Sequence, residues 1–172
     1  NEVSRKVIHI GCGFLLPLSW YLQLPQWIAL TAALFATLMV SLNHQRRWFS
    51  LIEDVERKTF GTIFYCLSIC CLIYFFWSSH PIAMLTGALV MAIADGSASL
   101  IGRHVKSPQW HLKGQTKSLA GTAAMLISTI SVFGLMQQMF HLDLSIASIL
   151  TISLIITALE QVSFYGVDNL SV

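Results

Sequence analysis

Asp95 sits in the stretch MAIADGSASLIGR, Met91–Arg103, where an apolar run suited to lipid meets a carboxylate among small polar residues. A charged side chain inside a membrane segment costs about 2.5–3.5 kcal/mol on insertion scales, and such groups usually serve ions, protons or substrates. Glu160 lies in a second apolar run and His9 in a third. Two carboxylates and an imidazole are the residue types of metal ligation and acid–base chemistry. Arg5 and Lys6 lie a turn or less from His9, and Arg103 ends the Asp95 stretch. Lys117 and Ser118 open another apolar run, where free backbone N–H groups and the helix dipole favour an anion. Asp168 and Asn169 offer hard oxygen ligands suited to Mg²⁺, which usually keeps several waters and bridges substrate phosphates. The set points to phosphate chemistry. A purely structural reading would pair Asp95 with Arg103 or Lys117, leave Lys106 and Lys113 on lipid headgroups, and make Asp168–Asn169 an ordinary turn.

The elements that must position these groups are membrane helices. Of 172 residues, 55% are hydrophobic and only 10% charged, well below the roughly 25% charged residues of soluble domains. Apolar runs predict an all-α polytopic membrane protein of about six spans, near residues 7–22, 26–42, 60–77, 81–102, 118–140 and 145–164. The first is short. The chain opens at NEVSRKVIHIG and stops at DNLSV, as a piece of a longer protein would, so further spans at either end are left open. The first run has no small-residue cleavage site and is not read as a signal peptide.

All ten Lys and Arg residues fall in the loops at one face of this six-span arrangement, whereas QLPQ, SSHP and HLDL on the other face carry none. The positive-inside rule puts the basic face in the cytoplasm or its equivalent, the stroma. Asp95 is then about 21 Å along its span, in the third of the bilayer nearest that face. Glu160 reaches nearly the same depth, and His9 approaches it. One cavity open to the basic face is expected where the first, fourth and sixth spans converge. The stretch NHQRRWFSLIEDVERKTFGT is expected to lie at the membrane interface, with Arg57 or Lys58 near substrate phosphate.

Several chemistries are excluded. The four cysteines (Cys12, Cys66, Cys70 and Cys71) all lie in apolar runs without CxxC or Cys/His spacing, and read as small buried hydrophobes. His9 is the only one of six histidines clearly inside a span, so paired haem ligands are not available. GQTKS lacks the P-loop glycine six residues before Lys117, where His111 stands, and no strand is expected to precede it. No nucleic-acid partner is indicated.

Four segments, RKVIHIG (Arg5–Gly11), ADGSASLIGR (Ala94–Arg103), KSLAGT (Lys117–Thr122) and Glu160 with DNLSV (Asp168–Val172), appear in the order found in the polyprenol kinases. The chain resembles that family of membrane enzymes, which includes phytol, farnesol and dolichol kinases and CTP-dependent diacylglycerol kinases, and KSLAGT looks closest to the phytol kinases. The chain departs from the common pattern at Ala94 and Ala120, and a glycine often found after Arg103 is missing near Val105–Lys106. The resemblance implies a single transmembrane kinase domain over residues 1–172. It would transfer a phosphoryl group from a nucleoside triphosphate, CTP in most of the family, to an isoprenoid alcohol such as phytol, the chemistry of tocopherol biosynthesis. Asp95, Glu160, Asp168 and Asn169 would then supply Mg²⁺ ligation and the base. Arg5, Lys6, Arg103, Lys117, Ser118 and Gly121 would hold phosphates, and His9 would orient the alcohol or a phosphate. The bilayer would deliver the alcohol and the basic face the nucleotide. Two alternatives stay open: a CTP-dependent cytidylyltransferase acting on a lipid phosphate, and a small cation-coupled transporter.

Overall fold

The computed structural model describes residues 2–46, 60–112 and 115–163, the side chains of residues 2–6 excepted. Helices α1 (Glu2–Gly13), α2 (Leu15–Tyr21), α3 (Gln26–Arg46), α4 (Gly61–Phe76) and α5 (Pro81–Leu89) come first. A π-helical turn, Val90–Ala94, leads into α6 (Asp95–His104). Strands β1 (Gln109–Leu112) and β2 (Gln115–Ser118) follow, then α7 (Leu119–Phe140) and α8 (Ile146–Val162). Three helical stretches are long and apolar enough to cross a membrane, Gln26–Arg46, Pro81–His104 and Leu119–Phe140, and Val7–Tyr21, Gly61–Phe76 and Ile146–Val162 are shorter apolar helices. The protein is the expected α-helical, polytopic membrane type, with each expected span matched by a helix.

Two spans are interrupted. The first breaks between Gly13 and Leu15, because Pro17 has no N–H to give the Gly13 carbonyl and its ring crowds that carbonyl. The fourth span is continuous but carries the π turn immediately before Asp95. Such single wide turns are rare and gather at functional sites. Hydropathy has no means of showing one.

The molecule is turned inside out relative to a soluble protein. Its surface carries Tyr21, Trp27, Phe35, Phe75, Ile127 and Ile146, each more than half exposed, as lipid-facing side chains should be. Its interior holds Met84, Ala88, Ala92, Ala94 and Met125 beside the polar Thr86, Thr129, Ser153 and Thr157. Thr86, Thr129 and Thr157 return their hydroxyl protons to the carbonyls one turn back, at 2.7, 2.8 and 2.8 Å, which satisfies them without a partner helix. The span Pro81–His104 is the most enclosed of the three long ones. Helix α7 packs against α6, α8 and the π turn, while α3 packs on α4. Gln26 ties the start of α3 to the end of α4 by donating Nε2 to the Ile73 and Tyr74 carbonyls at 2.9 and 3.3 Å.

Glycines set the separation of the central helices. A Cβ at Gly13 would collide with the Cβ of Ala92 in the π turn, and one at Gly96 would come within 2.6 Å of Ile10. A Cβ at Gly102 would lie 2.8 Å from Ser118 Oγ and 3.3 Å from the Gly121 Cα. Small residues let membrane helices meet backbone to backbone, as lipid provides no hydrophobic drive for association. These contacts pair α1 with the π turn and α6, and α6 with α7, each in antiparallel sense.

The stretch between α6 and α7 is a hairpin, where a loop was expected. Trp110 pairs with Lys117 and His111 with Thr116 in antiparallel register. Extended backbone suits Trp110 and Thr116, but four-residue strands in a polar sequence leave no clear alternation to read. A strand therefore does precede α7, contrary to the expectation; the P-loop remains excluded by the missing glycine alone. Residues 47–59, including Arg57 and Lys58, lie outside the described residues.

Gly11 and Gly13 allow a controlled test, because nothing lies within 4 Å of a Cβ at Gly11. Gly11→Ala is expected to hold or raise the melting temperature in detergent, since alanine is favoured in a helix by up to about 1 kcal/mol. Gly13→Ala is expected to destabilise by about 1–3 kcal/mol through overpacking. Thermal unfolding followed by tryptophan fluorescence distinguishes them, and equal melting of both variants would show that α1 does not depend on this close approach.

Candidate functional site

Asp95 begins α6 directly after the π turn and is only 6% exposed. Its Oδ2 lies 3.4 Å from His9 Nε2, and the same nitrogen lies 3.2 Å from the Met91 carbonyl in the π turn. Both oxygens are acceptors, so Nε2 must carry a proton and donate toward them. The pair exists because Gly13 and Gly96 let α1 lie against this span on either side of it. Tyr65 of α4 closes the far side, donating its hydroxyl to the His9 carbonyl at 2.9 Å with its ring 3.8 Å from the imidazole. Sequence reasoning did not single out Tyr65. A polar aromatic residue within an apolar run, opposite a span that carries a histidine, was the signal available.

A second pair lies nearer the hairpin. Lys117, in β2, forms an ion pair with Glu160 of α8 and also donates to the Glu160 main-chain carbonyl at 3.0 Å. Gln161 donates to Glu160 Oε2 at 2.6 Å and to Thr122 Oγ1 at 2.9 Å. Glu160 is 6% exposed. The Lys117 ammonium thus sits on the last turn of α8, where unpaired carbonyls and the negative end of the helix dipole favour a cation. The expectation had Lys117 assisting the N-terminus of α7. In the structure its charge turns to α8, and Ser118 serves that N-terminus, accepting from Gly121 N at 3.1 Å and donating to the Gly102 carbonyl at 3.2 Å.

The described contacts join His9 to Asp95 and Lys117 to Glu160. Ser118 and Gly121 meet α6 at Gly102, seven residues beyond Asp95, which places the start of α7 about 10 Å along that helix from Asp95. Between them Ser97 and Ser128 share a hydrogen bond of 2.8 Å across α6 and α7. Arg103 is exposed at the end of α6. Arg5 and Lys6 belong to α1, at the end carrying Arg103 and the hairpin, but their side chains, like Asp168 and Asn169, lie outside the described residues. Among the described residues no three His, Cys, Asp or Glu side chains converge to hold a metal ion. Mg²⁺ does not need such a cage, since one or two carboxylates plus substrate phosphates commonly hold it. Asp95 and Glu160, placed toward one end of the bundle, fit that donor chemistry.

No family model matches the chain, and no solved structure matches it. Curated proteins do. The chain is 33% identical over 174 residues to a phytol kinase of Synechocystis sp. (strain ATCC 27184 / PCC 6803 / Kazusa), covering 99% of this chain and 75% of that protein. It is 27% identical to a probable chloroplastic phytol kinase of Triticum aestivum, covering 100% of this chain and 64% of that protein. It is 29% identical to a chloroplastic farnesol kinase of Arabidopsis thaliana, over 73% of this chain and 44% of that one. The chain therefore spans three quarters of the cyanobacterial relative and under two thirds of these plant ones. With RKVIHIG, ADGSASLIGR and KSLAGT set on α1, α6 and the β2–α7 junction of a helical membrane bundle, the chain belongs to the phytol kinase family.

Proposed function

We propose that this protein is a membrane-embedded kinase that transfers the terminal phosphoryl group of a nucleoside triphosphate to the hydroxyl of an isoprenoid alcohol. The observation that carries the reading is the 33% identity to a named phytol kinase over 99% of the chain. The enclosed Asp95 carboxylate, with a histidine donating to it, is the group suited to the chemistry. The donor we favour is CTP, the acceptor phytol, and the catalytic domain residues 1–172. The nucleotide would arrive from the basic face, which the distribution of Lys and Arg assigns to the cytoplasm or stroma.

In the proposed reaction the alcohol oxygen attacks the γ-phosphorus, its O–P bond forms, and the bond to the β-phosphate bridging oxygen breaks. The alcohol proton passes to Asp95, and the products are the alcohol monophosphate and a nucleoside diphosphate. His9, by donating to Asp95, holds that carboxylate in place. Mg²⁺, when bound through Asp95 or Glu160 with Asp168 and Asn169 as further candidates, supplies charge neutralisation for the phosphates. Such transfer depends on positioning and electrostatic stabilisation more than on covalent chemistry. Arg5, Lys6, Arg103 and Lys117 are the candidate phosphate contacts, and Ser118 and Gly121 offer the start of α7.

The test uses purified protein in nanodiscs with Mg²⁺, each of the four labelled nucleoside triphosphates, and phytol, farnesol, geranylgeraniol, dolichol or diacylglycerol. Labelled nucleoside diphosphate with an alcohol monophosphate is the expected product. Labelled pyrophosphate would instead establish cytidylyl transfer, and no turnover with any combination would remove the kinase reading.

Asp95→Asn is expected to keep the fold and lower kcat by about 10²–10³, the loss typical for a group that stabilises developing charge. Burying a neutral amide is easier than burying a carboxylate, so the melting temperature should hold or rise. Near wild-type turnover in the folded variant would make Asp95 structural.

Lys117 has a second outcome built in. Lys117→Gln leaves the Glu160 carboxylate buried without this partner, and breaking such a pair costs about 3–5 kcal/mol. Lys117→Gln is expected to raise nucleotide KM, and because Glu160 is itself a candidate site residue, the double change Lys117→Gln/Glu160→Gln is read for stability, most of which it is expected to restore. Recovery of full activity in the double variant would confine Lys117 to holding the hairpin on α8.

A further inference from the structure

We infer that Tyr65 is a positioning residue for the Asp95 centre, fixing the orientation in which His9 Nε2 faces the carboxylate; the inference rests on the kinase reading of that centre. Tyr65 is 4% exposed in α4, a helix that packs chiefly on α3 and α5. Its side chain alone gives two contacts to α1, the 2.9 Å bond from its hydroxyl to the His9 carbonyl and the ring contact at 3.8 Å with planes tilted by 42°. The first holds the His9 backbone near the end of α1, only four residues before the break at Gly13. The second lies on one face of the imidazole and resists rotation of the ring.

That rotation matters. Nε2 faces the Met91 carbonyl and Asp95 Oδ2 at 3.2 and 3.4 Å. A flip of the ring would turn Nε2 and its proton away from both acceptors. The π turn directs the Met91 carbonyl toward the imidazole, Gly96 admits α1, and Tyr65 presses from the opposite side. Gly13 completes the arrangement, as a Cβ there would come within 2.8 Å of the Tyr65 hydroxyl. If Tyr65 served packing alone, phenylalanine would fill the same volume; the hydroxyl is required only for the bond to His9, since a buried Tyr O–H must find an acceptor.

The experiment is a double-mutant cycle with Tyr65→Phe and His9→Gln in the full chain, with kcat and both KM values measured for nucleotide and alcohol. Tyr65→Phe is expected to lower kcat about five- to tenfold, the loss of one hydrogen bond, with both KM values within about twofold. Because Tyr65 acts through His9, the double variant is expected to lose no more than His9→Gln alone, within about twofold. Losses that multiply would overturn the inference. A second measurement needs no turnover: ¹⁵N spectra of histidine-labelled protein, with the His9 signal identified by its loss in His9→Gln. The wild-type signal should be that of an Nε2-protonated ring, and Tyr65→Phe should shift or broaden it. An unchanged His9 signal would overturn the inference. If the wild-type protein phosphorylates no alcohol, the kinase reading falls and the spectra still decide whether Tyr65 orients His9.

Discussion

A carboxylate held in an apolar helix is the constraint around which the rest of this structure is arranged. An isolated charge at membrane depth is expensive, and the expense falls only when donors reach it. Asp95 receives one from a different helix, so α1 has to lie almost in backbone contact with the fourth span. Gly13 against Ala92 and Gly96 against Ile10 make that approach possible, one on each side of the His9–Asp95 pair. The π turn before Asp95 contributes the Met91 carbonyl as a second acceptor for the same imidazole nitrogen. Beyond the break at Gly13–Leu15, α2 reaches the far end of α7, where Trp20 sits edge-on to Phe140.

The ends of the helices were legible in the sequence, as were the charged residues inside them, and the pairing of those charges was only partly so. Apolar runs marked the spans because in lipid the whole circumference of a helix is apolar, and the signal is strong. Asp95, Glu160, His9 and Lys117 stood out for the same reason: they are exceptions in those runs. Which exception meets which is a different question. It depends on rotation of each helix about its axis, and a run that is apolar on all sides carries little information about rotation. Glu160 and Asp95 were expected to share a level because residues were counted from the loops. Lys117 reaches Glu160 from the end of the hairpin, a contact that a count along each span does not show.

The hairpin shows the same limit from another side. Its strands are four residues each, and β1 is exposed along its length, so no alternation of buried and exposed positions is imprinted on the sequence. What holds it in place is Lys117 on the last turn of α8 and Ser118 at the first turn of α7. Both are polar residues that a sequence reading assigns to phosphate as readily as to structure. A lysine paired with a buried carboxylate can still meet a phosphate when a nucleotide arrives, because an anion offers the ammonium a second partner without removing the first. In that event Glu160 tempers the charge of Lys117 in the empty protein, which lowers the cost of holding a bare ammonium at the membrane edge.

The two pairs are also unequal in what they border. His9–Asp95 lies between helices whose outer faces are apolar and exposed, where in the proposed reaction a long-chain alcohol would present its hydroxyl while its hydrocarbon stays in the bilayer. Ser118 and Gly121, at the start of α7, meet α6 about 10 Å along that helix from Asp95, which is comparable to the reach of an extended triphosphate. In the proposed reaction this spacing assigns the acceptor to the His9–Asp95 pair and the donor's phosphates to the start of α7, with the Ser97–Ser128 contact between them. In the proposed reaction the two substrates approach from different phases and must meet in line.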